Sequence, residues 1–96
     1  MSVTLINIFE VPAGEDREFI AAWEKTRDYL MTLPAHIETA LHQSLYDGAR
    51  FRFVNIAHWT SEAEFNAALG SPGFQEAGAD LRWPMNPSLY RVVSTG

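Results

Sequence analysis

Residues 50–59 read RFRFVNIAHW, a β-branched and aromatic run of strand length whose apolar side chains fall on both of its faces. Phe51, Phe53, Asn55, Ala57 and Trp59 point one way, and Arg52, Val54, Ile56 and His58 the other. Such a strand needs cover above and below. The first strand-like run repeats the pattern, with Leu5, Asn7 and Phe9 opposed to Ile6 and Ile8.

The rest of the chain supplies cover for one face only. Val3 to Val11 is closed by Pro12-Ala13-Gly14, which punctuates the chain before a helix. Glu15, Asp16 and Glu18 put negative charge where a helix N-terminus favours it. Phe19, Ile20, Trp23, Leu30 and Leu33 then recur at helical spacing up to the stop at Pro34. His36 to Tyr46 alternates loosely, and Asp47-Gly48 offers the turn chemistry of a hairpin into the 50–59 strand. Ser61 with Glu64 forms a capping-box pattern for a second helix bearing Phe65, Ala68 and Leu69, which Gly70-Ser71-Pro72-Gly73 breaks. A short helical turn is expected from Phe74 to Leu81. Pro84 and Pro87 frame a loop, and Leu89 to Ser94 reads as the last strand.

The order βαββαβ predicts an α+β fold of the ferredoxin-like kind, a four-stranded antiparallel sheet with helices on one face. A length of 96 residues suits one domain over residues 1–96. The helix-free face would then be wet in a monomer, which predicts a homodimer through that face.

Composition narrows the partners. Twelve acidic against seven basic residues give a formal charge of −5, which repels phosphate backbones and anionic membranes, so neither nucleic acid nor a membrane is an expected partner. Arg50, Arg52, Arg82 and Arg91 either cluster to receive one anionic ligand or scatter over the surface. The absence of cysteine removes disulfides, thiolate zinc sites and a thiol nucleophile, and fits a reducing cytoplasm. The apolar runs are shorter than a bilayer span and the N-terminus does not read as a signal peptide, so a cytoplasmic location is expected.

Two asparagines carry most of the chemical information. Asn7 and Asn55 each interrupt an apolar strand face, and a buried amide needs partners. In a βαββαβ sheet their strands are central, so both amides either project into a mostly apolar cavity between sheet and helices, the usual form of a small-molecule site, or are satisfied by loop and helix backbone. Phe53 and Trp59 stand beside them on the same face. The Trp59 indole is either a donor to a ligand oxygen or core mass with its N–H on backbone. His36, His42 and His58 lack metal-ligand spacing, and no metal is expected. A two-residue turn at Asp47-Gly48 sets His42 across from Phe53 and His36 across from Trp59, both on the cavity face; a slip of one residue sends them to the other face.

Arg52 to Glu62 (RFVNIAHWTSE), followed by Phe65, Ala68 and Ser71-Pro72, resembles the antibiotic biosynthesis monooxygenase family of dimeric α+β barrels, as does Pro12-Ala13-Gly14 before a helix carrying Trp23. The resemblance implies an oxygenase without flavin or metal, in which an acidic polycyclic phenol or anthrone supplies the electrons for oxygen itself; for this chain a small aromatic or quinol-type metabolite is expected. Asn55 and Trp59 match the family's catalytic donors, and Asn7, Trp23, Phe53, Phe65 and His42 are the expected substrate-binding residues. Phe65 stands where those enzymes carry a tyrosine, and Gly78 near their arginine. In the haem-degrading relatives Asn7 has a counterpart, but Ala68 and Gly78 replace a tryptophan and the axial histidine, so haem is not expected. Two alternatives accompany the oxygenase: an isomerase or lyase of a small lactone or acid using His36 or His42 as proton shuttle, and a non-catalytic binding module.

Overall fold

The computed structural model describes residues 2–96. Its elements run β1 (Val3–Phe9), α1 (Asp16–Leu30), β2 (His36–Gln43), β3 (Phe53–Trp59), α2 (Glu62–Leu69), α3 (Pro72–Ala77) and β4 (Met85–Tyr90). The strands form one antiparallel sheet in the order β2-β3-β1-β4, the ferredoxin-like α+β topology. A thickness of 17 Å against 38 Å in the other two directions leaves room for two layers, sheet and helices.

The local starts and stops have physical causes. Gly14 takes φ +88°, a left-handed conformation that suits glycine, and turns the chain into the acidic first turn of α1. Ser61 caps α2 by accepting from the Glu64 N–H at 3.1 Å. Ser71 does the same for Phe74 at 3.2 Å, with Pro72 in the first turn of α3. The segment expected only to break α2 therefore also starts α3, since proline forfeits no bond at a helix's first position.

Several other boundaries differ from expectation. Helix α1 ends at Leu30, and residues 31–33 continue as tight turns, with Leu33 N donating to Leu30 O at 3.0 Å. Strand β4 begins at Met85 and includes Pro87, while residues 91–96 lie outside it. Because β4 is an edge strand, a residue without an N–H is tolerated there. Lastly, Tyr46 to Ala49 does turn around Asp47-Gly48, with Gly48 at φ +80°, but inside a wider loop closed by Ser44 N to Arg52 O at 2.8 Å.

That loop and a bulge between His36 and Glu38 set the β2 register. His36 pairs with Trp59, but beyond the bulge Thr39 pairs with Ala57, Leu41 with Asn55 and His42 with Val54. Opposed residues share a face, so one extra residue changes the parity of all that follows. His42 thus lies exposed on the helix-free face, which corrects its expected place in the cavity.

On the helix-covered face two apolar clusters form. One gathers Phe9, Phe19, Trp23, Phe53 and Trp83; the other gathers Leu5, Ala57, Trp59, Phe65 and Ala68. Ile6, Ile8, Val54 and Ile56, on the opposite face, remain half-buried.

Candidate functional site

Between the clusters runs a polar row. Asn7 on β1 and Asn55 on β3 are direct register partners, at 9% and 8% exposure. Adjacent side chains on one face of antiparallel strands stand close enough to act on one ligand. Thr39, brought to this face by the β2 bulge, donates its hydroxyl to Asn55 Oδ1 at 2.6 Å. This bond fixes the amide orientation, leaving the Asn55 NH2 as the outward-acting donor. Asn7 Nδ2 reaches only the Met85 sulfur, 3.7 Å away, and its buried Oδ1 has no partner.

Above the row, α1 contributes Trp23, Thr26, Arg27 and Leu30, and α3 with its following turn contributes Phe74, Gln75, Gly78 and Leu81. Phe9 and Met85 complete the walls of a cavity of ≈ 200 Å³. Thr26 Oγ1 lies 3.3 Å from both Ala22 O and Ala77 O, which ties the two helices together over it. Arg27 is the one charged residue in the lining; it pairs with Asp28 at 2.9 Å and Glu24 at 3.5 Å. The result is a mostly apolar hollow with a few convergent polar groups, the usual form of a small-molecule site. No histidine lines it.

The predicted residues divide. Asn7, Asn55 and Trp23 line the cavity together. Phe53 sits alongside, stacked 4.7 Å from Phe19 in the first cluster. Trp59 and Phe65 belong to the second cluster, with ring centroids 5.3 Å apart, and neither lines the cavity. The expectation that the indole shares the amides' hollow is corrected: Trp59 lies four strand residues beyond Asn55, past Ala57 on the same face, 1% exposed, with a buried Nε1 that has no acceptor. His36 meets its ring edge-on at 5.0 Å. Burial lowers the His36 pKa and favours the neutral ring. On the helix-free face His58 Nδ1 lies 3.0 Å from Glu38 Oε1. Arg50, Arg52 and Arg82 each pair with a carboxylate, Glu10 at 3.3 Å, Asp16 at 3.0 Å and Glu18 at 3.6 Å, and Arg50 and Arg82 line one surface hollow together with Glu10 and Glu15.

Thr39, Gln75 and Met85 escaped the sequence reading. Thr39 is revealed by a bulge that no local motif announces, and Met85 by the earlier start of β4. Among the described residues no cluster of three His, Asp or Glu side chains is arranged to hold a metal ion, and no helix is long and apolar enough to cross a membrane.

A ferredoxin-like sheet carrying paired buried carboxamides under its helices is matched by sequence as well. Residues 2–80 fit the family described as antibiotic biosynthesis monooxygenase, and the chain belongs to that family. Similar solved structures include a candidate monooxygenase from Shewanella loihica PV-4, 40% identical over 98% of this chain and 96% of that one, with a TM-score of 0.82. Another is SnoaB, a cofactor-independent oxygenase from Streptomyces nogalater, 28% identical over 98% and 95% with a TM-score of 0.85. A dimeric ferredoxin-like protein from Jannaschia sp. CCS1, 14% identical over 96% and 100% with a TM-score of 0.75, shares the fold. Among curated protein sequences none matches this chain.

Proposed function

We propose that this protein is a cofactor-independent monooxygenase that oxidises a small aromatic phenol or hydroquinone bound between Asn7 and Asn55. One observation carries the reading: two register-paired, buried carboxamides face an apolar cavity, one with a free NH2 and one with a buried oxygen lacking any donor. Orphaned polar atoms of this kind cost about 1–3 kcal/mol each, and a ligand that satisfies them removes the cost. Family membership and the likeness to SnoaB support the same chemistry.

In this reaction the substrate is its own reductant. Loss of the phenolic O–H proton to water gives a phenolate that shares its charge with a hydrogen-bearing ring carbon, and whose oxygen accepts from the Asn55 NH2, a stabilisation that strengthens as negative charge develops. The anion passes electrons to dioxygen and the carbon combines with it as a hydroperoxide. Loss of water then leaves a carbonyl: one oxygen atom enters the product in place of two hydrogens, and the other leaves as water. The surrounding Phe9, Trp23, Leu30 and Leu81 keep the anion from bulk solvent.

The working unit is a homodimer through the helix-free face. Half-buried Ile6, Ile8, Val54 and Ile56 supply its apolar centre, and the fold relative from Jannaschia is dimeric.

Oxygen uptake over a panel of hydroquinones and naphthols tests the activity. Turnover by wild type that falls sharply in Asn55→Ala is the expected result. Equal turnover by the two proteins would remove Asn55 from the chemistry. Sedimentation of a stable monomer at micromolar concentration would contradict the dimer.

A further inference from the structure

The two amides present unlike ends to a ligand. On β3 the Thr39 hydroxyl takes the Asn55 oxygen at 2.6 Å, so Asn55 offers its NH2. On β1 the order is reversed. The Met85 sulfur, a weak acceptor with no hydrogen to give, lies 3.7 Å from Asn7 Nδ2 and takes that end of the amide, so Asn7 is left with its oxygen, buried and without a donor. Thr39, Met85 and both asparagines line the same hollow. A donor and an acceptor thus stand side by side on directly paired strand positions.

The hydroxyls and the cation nearby are spent elsewhere: Thr39 on Asn55, Thr26 on the Ala22 and Ala77 carbonyls, and Arg27 on Asp28 and Glu24. A ligand hydroxyl supplies the hydrogen that the Asn7 oxygen lacks. A lone ring oxygen serves the pair poorly, because once ionised it still accepts from Asn55 but turns only lone pairs toward Asn7. A second hydroxyl that keeps its proton ends that conflict.

Spacing selects where the second hydroxyl sits. Directly opposed strand side chains start about 4.5–5.5 Å apart, close to the separation of two oxygens placed meta on one ring. Ortho oxygens stand within hydrogen-bond reach of each other, about 2.7 Å, and satisfy one another instead. A meta hydroxyl also leaves hydrogen on the ring carbons ortho and para to the ionised oxygen, which share its charge. Resting on the reading of this cavity as the substrate site, we propose that Asn7 determines specificity and that the substrate is a meta-dihydroxy aromatic, its ionising oxygen on Asn55 and its second hydroxyl donating to Asn7.

Calorimetric titration under nitrogen, so that nothing turns over, compares naphthol with the ortho- and meta-dihydroxynaphthalenes that carry both hydroxyls on one ring. Wild type is expected to bind the meta isomer at least about tenfold more tightly than either of the others, since it alone answers both amides. Asn7→Leu should weaken the meta isomer and leave the two isomers within about twofold of each other. Naphthol bound by wild type as tightly as the meta isomer would mean that one hydroxyl answers both amides, and equal affinity for the two isomers would mean that spacing is not read. Either result overturns the proposal while leaving the cavity as the substrate site, and so does a meta preference that survives Asn7→Leu. Wild type that binds none of the three probes overturns the substrate site itself and the proposal with it.

Discussion

Trp83 and Trp59 are both buried tryptophans at opposite ends of the helix-covered sheet face, and the molecule treats them differently. The Trp83 N–H donates to Glu15 at 2.9 Å, and its ring meets Phe19 edge-on at 5.3 Å. The Trp59 ring is as well packed, against His36 and Phe65, but its N–H has no acceptor. Among the described residues no fully buried side-chain polar atom of the first end lacks a partner, and that end holds α1 on the sheet. The second, with His36 Nε2 also unanswered, keeps unsatisfied groups in apolar surroundings, as the polar row between the ends does at the Asn7 oxygen, a cost that a fold under selection for stability alone would shed.

The contrast is broken most directly through Phe19, which is fully buried against Phe9, Phe53 and Trp83. Phe19→Ala should cost about 3–5 kcal/mol in urea unfolding. A loss below about 1 kcal/mol would show that the aromatic end is not the anchor. Asn55→Ala is next, with turnover reduced by about 10²–10³-fold, or about 2.7–4 kcal/mol, while the unfolding midpoint moves far less. The two tryptophans then compare directly: Trp83→Phe strands the Glu15 carboxylate, whereas Trp59→Phe removes an orphan donor, so the first should cost about 1–3 kcal/mol more. Equal losses would erase the distinction between the ends.

The pH dependence of stability is a smaller effect. His36 is held below its ordinary value of 6.5 by burial, so near and below that pH the unfolded chain binds a proton that the folded chain refuses. Stability is full above 6.5, falls as pH drops below it, and levels once the folded ring protonates. His36→Phe should flatten that limb in urea titrations at stepped pH, and an unchanged slope would assign it to other groups. Smallest of all, Arg50→Ala, which frees an exposed pair with Glu10, should shift stability by under about 0.5 kcal/mol.

Element order, helix faces and the shared sheet face of Asn7 and Asn55 were legible in the sequence because they follow from periodicities of two and 3.6 and from capping residues; their direct pairing was not, since no motif fixes the register of β1 on β3. The place of His42 was not, because a bulge near Ile37 changes parity without a sequence marker. Pro87 concealed the start of β4, since only knowledge that β4 is an edge strand makes a proline acceptable there. Thr39 and Met85, which contact the two amides, stayed hidden for the same two reasons. Trp59 shares its face with Asn55 as periodicity requires, but sharing a face does not give a common hollow when Leu30, which lines the amides' cavity, also packs against the cluster that holds Trp59.

Whether the polar row exists for a ligand is tested most directly with Asn7→Leu, by thermal unfolding with and without naphthol. Loss of the orphaned oxygen should leave the midpoint unchanged or raised in the free protein and abolish the upward shift that naphthol gives wild type. A lowered midpoint together with a fully retained naphthol shift would mean that Asn7 serves the fold and not a bound molecule.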